Sequence, residues 1–269
     1  MDLRGASAES LRELSAELDE TLSGGADAER VARELYNVAS LLRAEPALRR
    51  FATDASLPAA AKQGLVKDVF AGKFDDATLA LVSSAAGRRW TATRDLAAAT
   101  ERLSELAAVA SVGSDANRLV DELFLLGQTL GANHDLRDAL ADPARSTEDK
   151  AALLDALLGG KALPATVALA KQGLGGTYRT LTGALAAYRE VAADASGEAV
   201  ATVRVVQPLG DGERERLAAA LSRQYGKQVH LNEIVEPGVL GGMRVEIGDD
   251  VIDGTVSSRL DDARRKLVG

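Results

Sequence analysis

Few side chains in this sequence could do chemistry. It holds two histidines, His134 and His230, and no cysteine. The histidines lie far apart in the chain. Neither has a second ligand or a nucleophile near it, so each reads as a structural residue. Without thiols there is no thiolate metal site, no covalent cysteine nucleophile and no disulfide. The phosphate-loop pattern G-x-x-x-x-G-K-[ST] does not occur. Its nearest approach, Gly159-Gly160-Lys161, reads as a helix end and is followed by Ala162 where the loop needs a hydroxyl. The glycines from Gly238 to Gly242 resemble a dinucleotide fingerprint, but they precede a strand pattern where that fingerprint opens a helix. Asp249, Asp250 and Asp253 suggest a cation site, yet their spacing differs from an EF-hand loop and suits a solvated turn. The run Asp261-Asp262 then Arg264-Arg265-Lys266 follows helix polarity, acids early and bases late, with a docking face as the other reading. The expectation is no catalytic residue, no cofactor and no metal ligand.

The elements that carry these residues follow from composition and period. The 269 residues are 46% apolar but only 3% aromatic. A core of that make-up is close-packed Ala, Leu and Val, which favours helix bundles. The net charge is −8, which argues against nucleic acid as a partner because phosphate contacts need a basic face. No run of about 18 apolar residues exists to span a membrane. The beginning, MDLRGASAESL, lacks an apolar signal core. Any membrane association is therefore expected to come through a partner.

Apolar spacing predicts a first helix over 7–22, with Ser7 as its cap and Leu11, Leu14, Leu18 and Leu22 as its stripe. Further helices follow through Leu35, Phe51 and Phe70, then over 76–87. Gly87-Arg88-Arg89-Trp90 forms a polar, aromatic junction. A long helical pattern begins near Thr93, includes Leu96, and is interrupted at Gly113. Ser146, with Asp149 three residues on, caps a helix over 147–158, and helices over 163–175 and 178–195 close the series.

Internal self-similarity is the strongest organisational signal. Displacing residues 33–87 by 88 positions lays Glu34-Leu35 on Glu122-Leu123, Leu48-Arg49 on Leu136-Arg137, Gly72-Lys73 on Gly160-Lys161 and Ala77-Thr78 on Ala165-Thr166, without a gap. The fold class predicted is mainly α: two tandem helical-bundle domains, 1–112 and 113–197, followed by a small α+β domain, 198–269.

In that last part the period changes. Residues 200–206 are β-branched and read as a strand, 211–225 as a helix, and 228–233 as a second strand. Met243, Val245 and Ile247 alternate with Arg244 and Glu246, the mark of a strand with one buried face. Gly241-Gly242 before it supplies positive φ or a close backbone approach. Gly248, Asp249 and Asp250 make a turn, Val251-Ile252 resume, Asp253-Gly254 end the strand, and a final helix runs from Thr255 to Leu267.

The residues Val229, Leu231, Glu236, Val239, Gly241-Gly242, Gly248-Asp249, Val251 to Gly254 and Arg259-Leu260 resemble the C-terminal signature of the delta subunit of F-type ATP synthases, called the oligomycin-sensitivity-conferring protein in mitochondria. Thr255 departs from the family's usual Ser. Both helical repeats are similar to that family's six-helix domain, and the doubled form resembles the longer actinobacterial members. The resemblance implies a non-catalytic peripheral-stalk (stator) subunit of a proton-translocating ATP synthase, peripheral at the cytoplasmic face of the cell membrane. It implies two partners: the N-terminal helices of the alpha subunits, held in a groove between the first and fifth helices, and the b-type stalk subunit, held by the C-terminal domain. It also implies a hinge near Gln207-Pro208-Leu209. By that analogy Leu11, Leu14, Leu18, Leu22, Arg89, Trp90 and Leu96 are the candidate partner contacts, although the same stripe also suits the bundle core. A helical-repeat adaptor of unrelated role also accounts for the duplication, but not for the signature.

Overall fold

The computed structural model describes residues 3–236, 241–248 and 250–254. Eleven helices precede the first strand: α1 (Ala6–Ser23), α2 (Ala28–Ala44), α3 (Pro46–Thr53), α4 (Ala59–Phe70), α5 (Asp76–Gly87), α6 (Asp95–Ala110), α7 (Ala116–Ala132), α8 (His134–Ala141), α9 (Thr147–Leu158), α10 (Pro164–Gln172) and α11 (Leu181–Ser196). There follow β1 (Glu198–Val205), α12 (Asp211–Tyr225), β2 (Gln228–Val235), β3 (Met243–Ile247) and β4 (Asp250–Asp253). The protein is mainly α with an α+β part near its C-terminus. It divides into two compact units, Met1–Val191 and Ala192–Gly269, with the division inside α11. The expected hinge residues Gln207-Pro208-Leu209 instead connect β1 to α12 within the second unit.

Local chemistry sets several of the helix starts. Asp27 accepts from the Arg30 amide, Asp75 from the Ala77 amide, and Ser146 from the Asp149 amide, each satisfying a donor the helix cannot. Pro46 and Pro164 occupy first-turn positions, where their missing N–H is not needed. A short 3-10 turn at Gly113–Asp115 separates α6 from α7, as the glycine suggests. Ser7 does not cap α1. The helix starts after Gly5 without a side-chain cap. Ser7 is fully buried, donating to the Asp95 carboxylate at 2.7 Å and accepting from the Thr91 amide at 2.8 Å.

The 88-residue repeat reappears in the backbone. The bounds of α2, α3 and α4, moved by 88, are those of α7, α8 and α9, and α10 begins where α5 predicts. Gly72 and Gly160 both take φ 70° after their helices, a conformation that costs a β-carbon-bearing residue about 1 kcal/mol. One polar latch is also repeated. Glu34 on α2 accepts from Arg30 Nε and from the Asp75 amide, both at 2.9 Å. Glu122 on α7 accepts from Arg118 Nε at 2.8 Å, from the Leu163 amide at 2.8 Å and from the Thr166 hydroxyl at 2.6 Å. In each case a carboxylate ties one helix to the start of the helix three further on. Burial pushes the Glu34 carboxyl up. Thr78, the Asp75 amide and Arg30 outweigh that and hold it below the ordinary carboxylate range.

In the second unit the sheet order is β2-β1-β3-β4, with β1 and β2 parallel and the other pairs antiparallel. Ala201, Val203, Val205, Val229, Val245 and Ile247 bury one sheet face with Leu221 of α12. Val245 and Ile247 are thus inside while Arg244 is exposed, as the alternation predicts. Gly242 takes φ 82° just before β3, the positive angle its position suggests. Asp249, Gly238, Val239, the final helix expected over 255–267, Arg259-Leu260 and the charge run at 261–266 lie outside the described residues.

Because Glu34 and Glu122 perform the same task, Glu34→Ala and Glu122→Ala should each destabilise the first unit. The expected loss is about 1–2 kcal/mol for a helix-terminus acceptor with a charged donor, measured by urea unfolding. Wild-type stability in either variant would contradict the latch. For Glu34 the contribution is present above the unfolded carboxylate value and fades as pH falls through the lower folded one.

Candidate partner-binding groove

Helix α1 lies against α5 and α6. Its apolar stripe is split by depth. Leu14 and Leu18 have no exposed surface and belong to the core, as does Leu96 at 3%. Leu11 and Leu22 at the ends of the stripe are half-buried. Arg89 is exposed and its carbonyl accepts from Ser10 at 2.9 Å. Trp90 is half-buried, with its indole N–H on the Ala85 carbonyl at 2.9 Å. Of the seven predicted contacts, four therefore keep surface: Leu11, Leu22, Arg89 and Trp90.

Arg88 belongs to the junction that the sequence marks, but its role there was not foreseen. Its guanidinium forms ion pairs with Glu13 and Glu17, one turn apart on α1, and so bolts the end of α5 to the first helix. Two acids spaced i,i+4 on a polar face with an arginine just after Gly87 was the available signal.

The same arrangement recurs 88 residues on, in altered form. Glu13 and Glu17 correspond to Glu101 and Glu105 on α6, and Arg88 corresponds to Gly176. Glu101 and Glu105 have no exposed surface. With no arginine at 176, backbone and hydroxyls serve instead. The Thr177 amide and hydroxyl donate to Glu101 at 2.9 and 2.5 Å, and the Tyr178 hydroxyl donates to Glu105 at 3.1 Å. A β-carbon on Gly176 would run into the Glu101 carboxylate. Cations reach them too: Arg43 of α2 on Glu101 at 2.5 Å, and Arg102 of α6 itself on Glu105 at 3.0 Å. Burial raises the Glu105 carboxyl above its ordinary value, against the opposing pull of Arg102.

The C-terminal signature residues frame the sheet. The Glu236 amide donates to the Val205 carbonyl at 2.7 Å and its carboxylate lies 3.8 Å from Arg204. Gly241 and Gly242 precede β3 and Gly248 follows it. Asp253 pairs with Arg244 in register, and the Gly254 amide donates to the Met243 carbonyl at 3.0 Å. His134 opens α8, 2.6 Å from Arg137, while His230 sits on β2. Among the described residues no group of three His, Cys, Asp or Glu side chains could hold a metal ion, and no helix is long and apolar enough to cross a membrane.

The fold and the latch define an interlocked helical bundle in which α1 packs on α5 and α6, followed in the chain by a small α+β unit. Residues 104–267 match the family model described as ATP synthase delta (OSCP) subunit. The match starts within α6, so it covers the second repeat from the middle of that helix onward and nearly all of the C-terminal unit. Along nearly its whole length the chain is similar to three actinobacterial proteins named ATP synthase subunit delta. One from Nocardioides sp. is 53% identical over 99% of this chain and 98% of the relative. One from Kineococcus radiotolerans is 44% identical over 94% and 93%. One from Streptomyces griseus is 38% identical over 99% and 100%. The chain belongs to the ATP synthase delta (OSCP) subunit family.

Glu105→Gln should stabilise the protein at neutral pH, because a carboxyl whose folded pKa is raised opposes folding once it ionises. The gain should vanish as pH falls below the unfolded carboxylate value of about 4.3. Thermal melts of the two proteins across pH 3–8 read this out, and equal melting at pH 7 would contradict it.

Proposed function

We propose that this chain is the non-catalytic peripheral-stalk subunit of a proton-translocating F-type ATP synthase. In this reading it joins the catalytic head to the b-type stalk and holds the head still while the rotor turns. The observation that carries the reading is near end-to-end similarity to proteins named ATP synthase subunit delta. The bundle contributes a helix-in-groove interface. The N-terminal helices of the alpha subunits lie along α1 and α5, with Leu11, Leu22, Arg89 and Trp90 at its margins. The C-terminal unit takes the end of the b-type subunit.

Such a joint performs no bond chemistry. It transmits torque by resisting deformation, which a close-packed Ala/Leu bundle does well because interiors of that density have low compressibility. The protein is then held at the cytoplasmic face of the cell membrane by its partners. The matching helix bounds and latches further support two copies of one bundle, with α6 common to both, so the copies overlap where the sequence alone suggests separate domains at 1–112 and 113–197.

Affinity-tagged full-length protein drawn from detergent-solubilised membranes should bring down the alpha and b-type subunits in stable stoichiometry. The isolated chain should not hydrolyse ATP. Recovery without either subunit, or turnover by the isolated chain, would overturn the proposal.

A further inference from the structure

Displaced by 88 positions, α1 falls on α6 and α5 falls on α10. The pairing of α1 with α5 therefore has a counterpart between α6 and α10, and the family-model match begins partway along α6, at residue 104. The two are not in the same state. On α1, Arg12, Ala16, Asp19 and Glu20 are exposed, and so is Ala80 on α5. Their counterparts on α6 are Thr100, Ser104, Ala107 and Ala108, and none is more than 2% exposed.

What lies over them is α2. Ser104 donates to the Ala32 carbonyl of α2 at 2.7 Å, and the Tyr36 hydroxyl of α2 donates to the Gln172 carbonyl of α10 at 3.0 Å. Arg43 of α2 meets Glu101, the counterpart of Glu13. A cavity of about 600 Å³ bounded by α2, α6 and α10 marks where this filling is incomplete, with Ala168 in its wall.

We infer that the groove of the second bundle is occupied by the chain's own α2, and that only the first bundle's groove is left to take a partner helix, one per chain. Helix α2 also shows what that partner is like. It is an amphipathic helix with Val31, Leu35, Val38 and Leu42 inward beside the small Ala32 and Ala39, and with a cation, Arg43, on Glu101, the α6 counterpart of Glu13. The exposed face of α1 carries Glu9, Asp19 and Glu20 against the single cation Arg12, Glu13 being paired with Arg88, so the open groove keeps a net negative edge and its occupant is basic on that side. This inference rests on the head-binding reading above and adds which groove is used.

The test is titration calorimetry of the full chain with a synthetic peptide of the first residues of the same organism's alpha subunit. The matched variants are Ala80→Trp and Ala168→Trp, at equivalent places in the open and the filled groove. The inference expects one peptide per chain, binding weakened at least tenfold by Ala80→Trp, and none of that loss from Ala168→Trp. Two peptides per chain, or a loss confined to Ala168→Trp, would overturn it while leaving head binding intact. No binding at all would remove the head-binding reading. Hydrogen exchange on the free chain then decides the occupancy of the second groove by itself. Amides of α2 and α10 exchanging together, as slowly as those of α6, support it, and α2 opening on its own overturns it.

Discussion

Helix α6 buries eleven of its sixteen residues, which leaves it almost no face for solvent. It lies against α1 and α2 on one side and α10 on another. Small residues make such double use possible: Ala97, Ala99, Ala107 and Ala108 let neighbouring backbones come close, and Leu103 and Val109 fill the space between. The cost is two carboxylates, Glu101 and Glu105, taken wholly out of water. Desolvation of a charge is several kcal/mol even after relaxation, and it is offset only when every acceptor finds donors. Arg43, Arg102, Thr177 and Tyr178 supply them. A one-turn slip of α6 would leave both charges buried and unpaired, so the network fixes register more than it adds stability.

The consequence is a first unit whose two repeats share a helix. Helix α6 closes the first repeat and opens the second, so neither bundle is complete without it. Here the second copy's groove and the first copy's α2 have become each other's partners.

Much of the fold was legible in the sequence, where local signals decide it. The bounds of α5, α9 and α12, the Ser146 cap, the β3 alternation and the positive φ at Gly242 all follow from caps, period or glycine. The repeat was legible because it rests on residue identities in one frame. What stayed hidden depends on which surface covers which. Leu14 and Leu96 look the same in sequence whether they line a groove or a core, since periodicity marks a face as apolar without naming its cover. Ser7 has a cap's chemistry, but tertiary partners at Thr91 and Asp95 claim its hydroxyl. Glu101 and Glu105 carry no sequence signal of burial, and only the packing of 176–178 against α6 reveals it.

Whether α6 binds both repeats into one cooperative body is open to a direct measurement. Trp90, the chain's single tryptophan, reports on the first repeat. Phe124→Trp in a Trp90→Phe background reports on the second, where the Phe124 ring lies 5.3 Å from the Arg189 guanidinium. Urea unfolding followed at each site should give one shared midpoint and slope. Two well-separated midpoints, with one repeat melting while the other stays folded, would contradict the account.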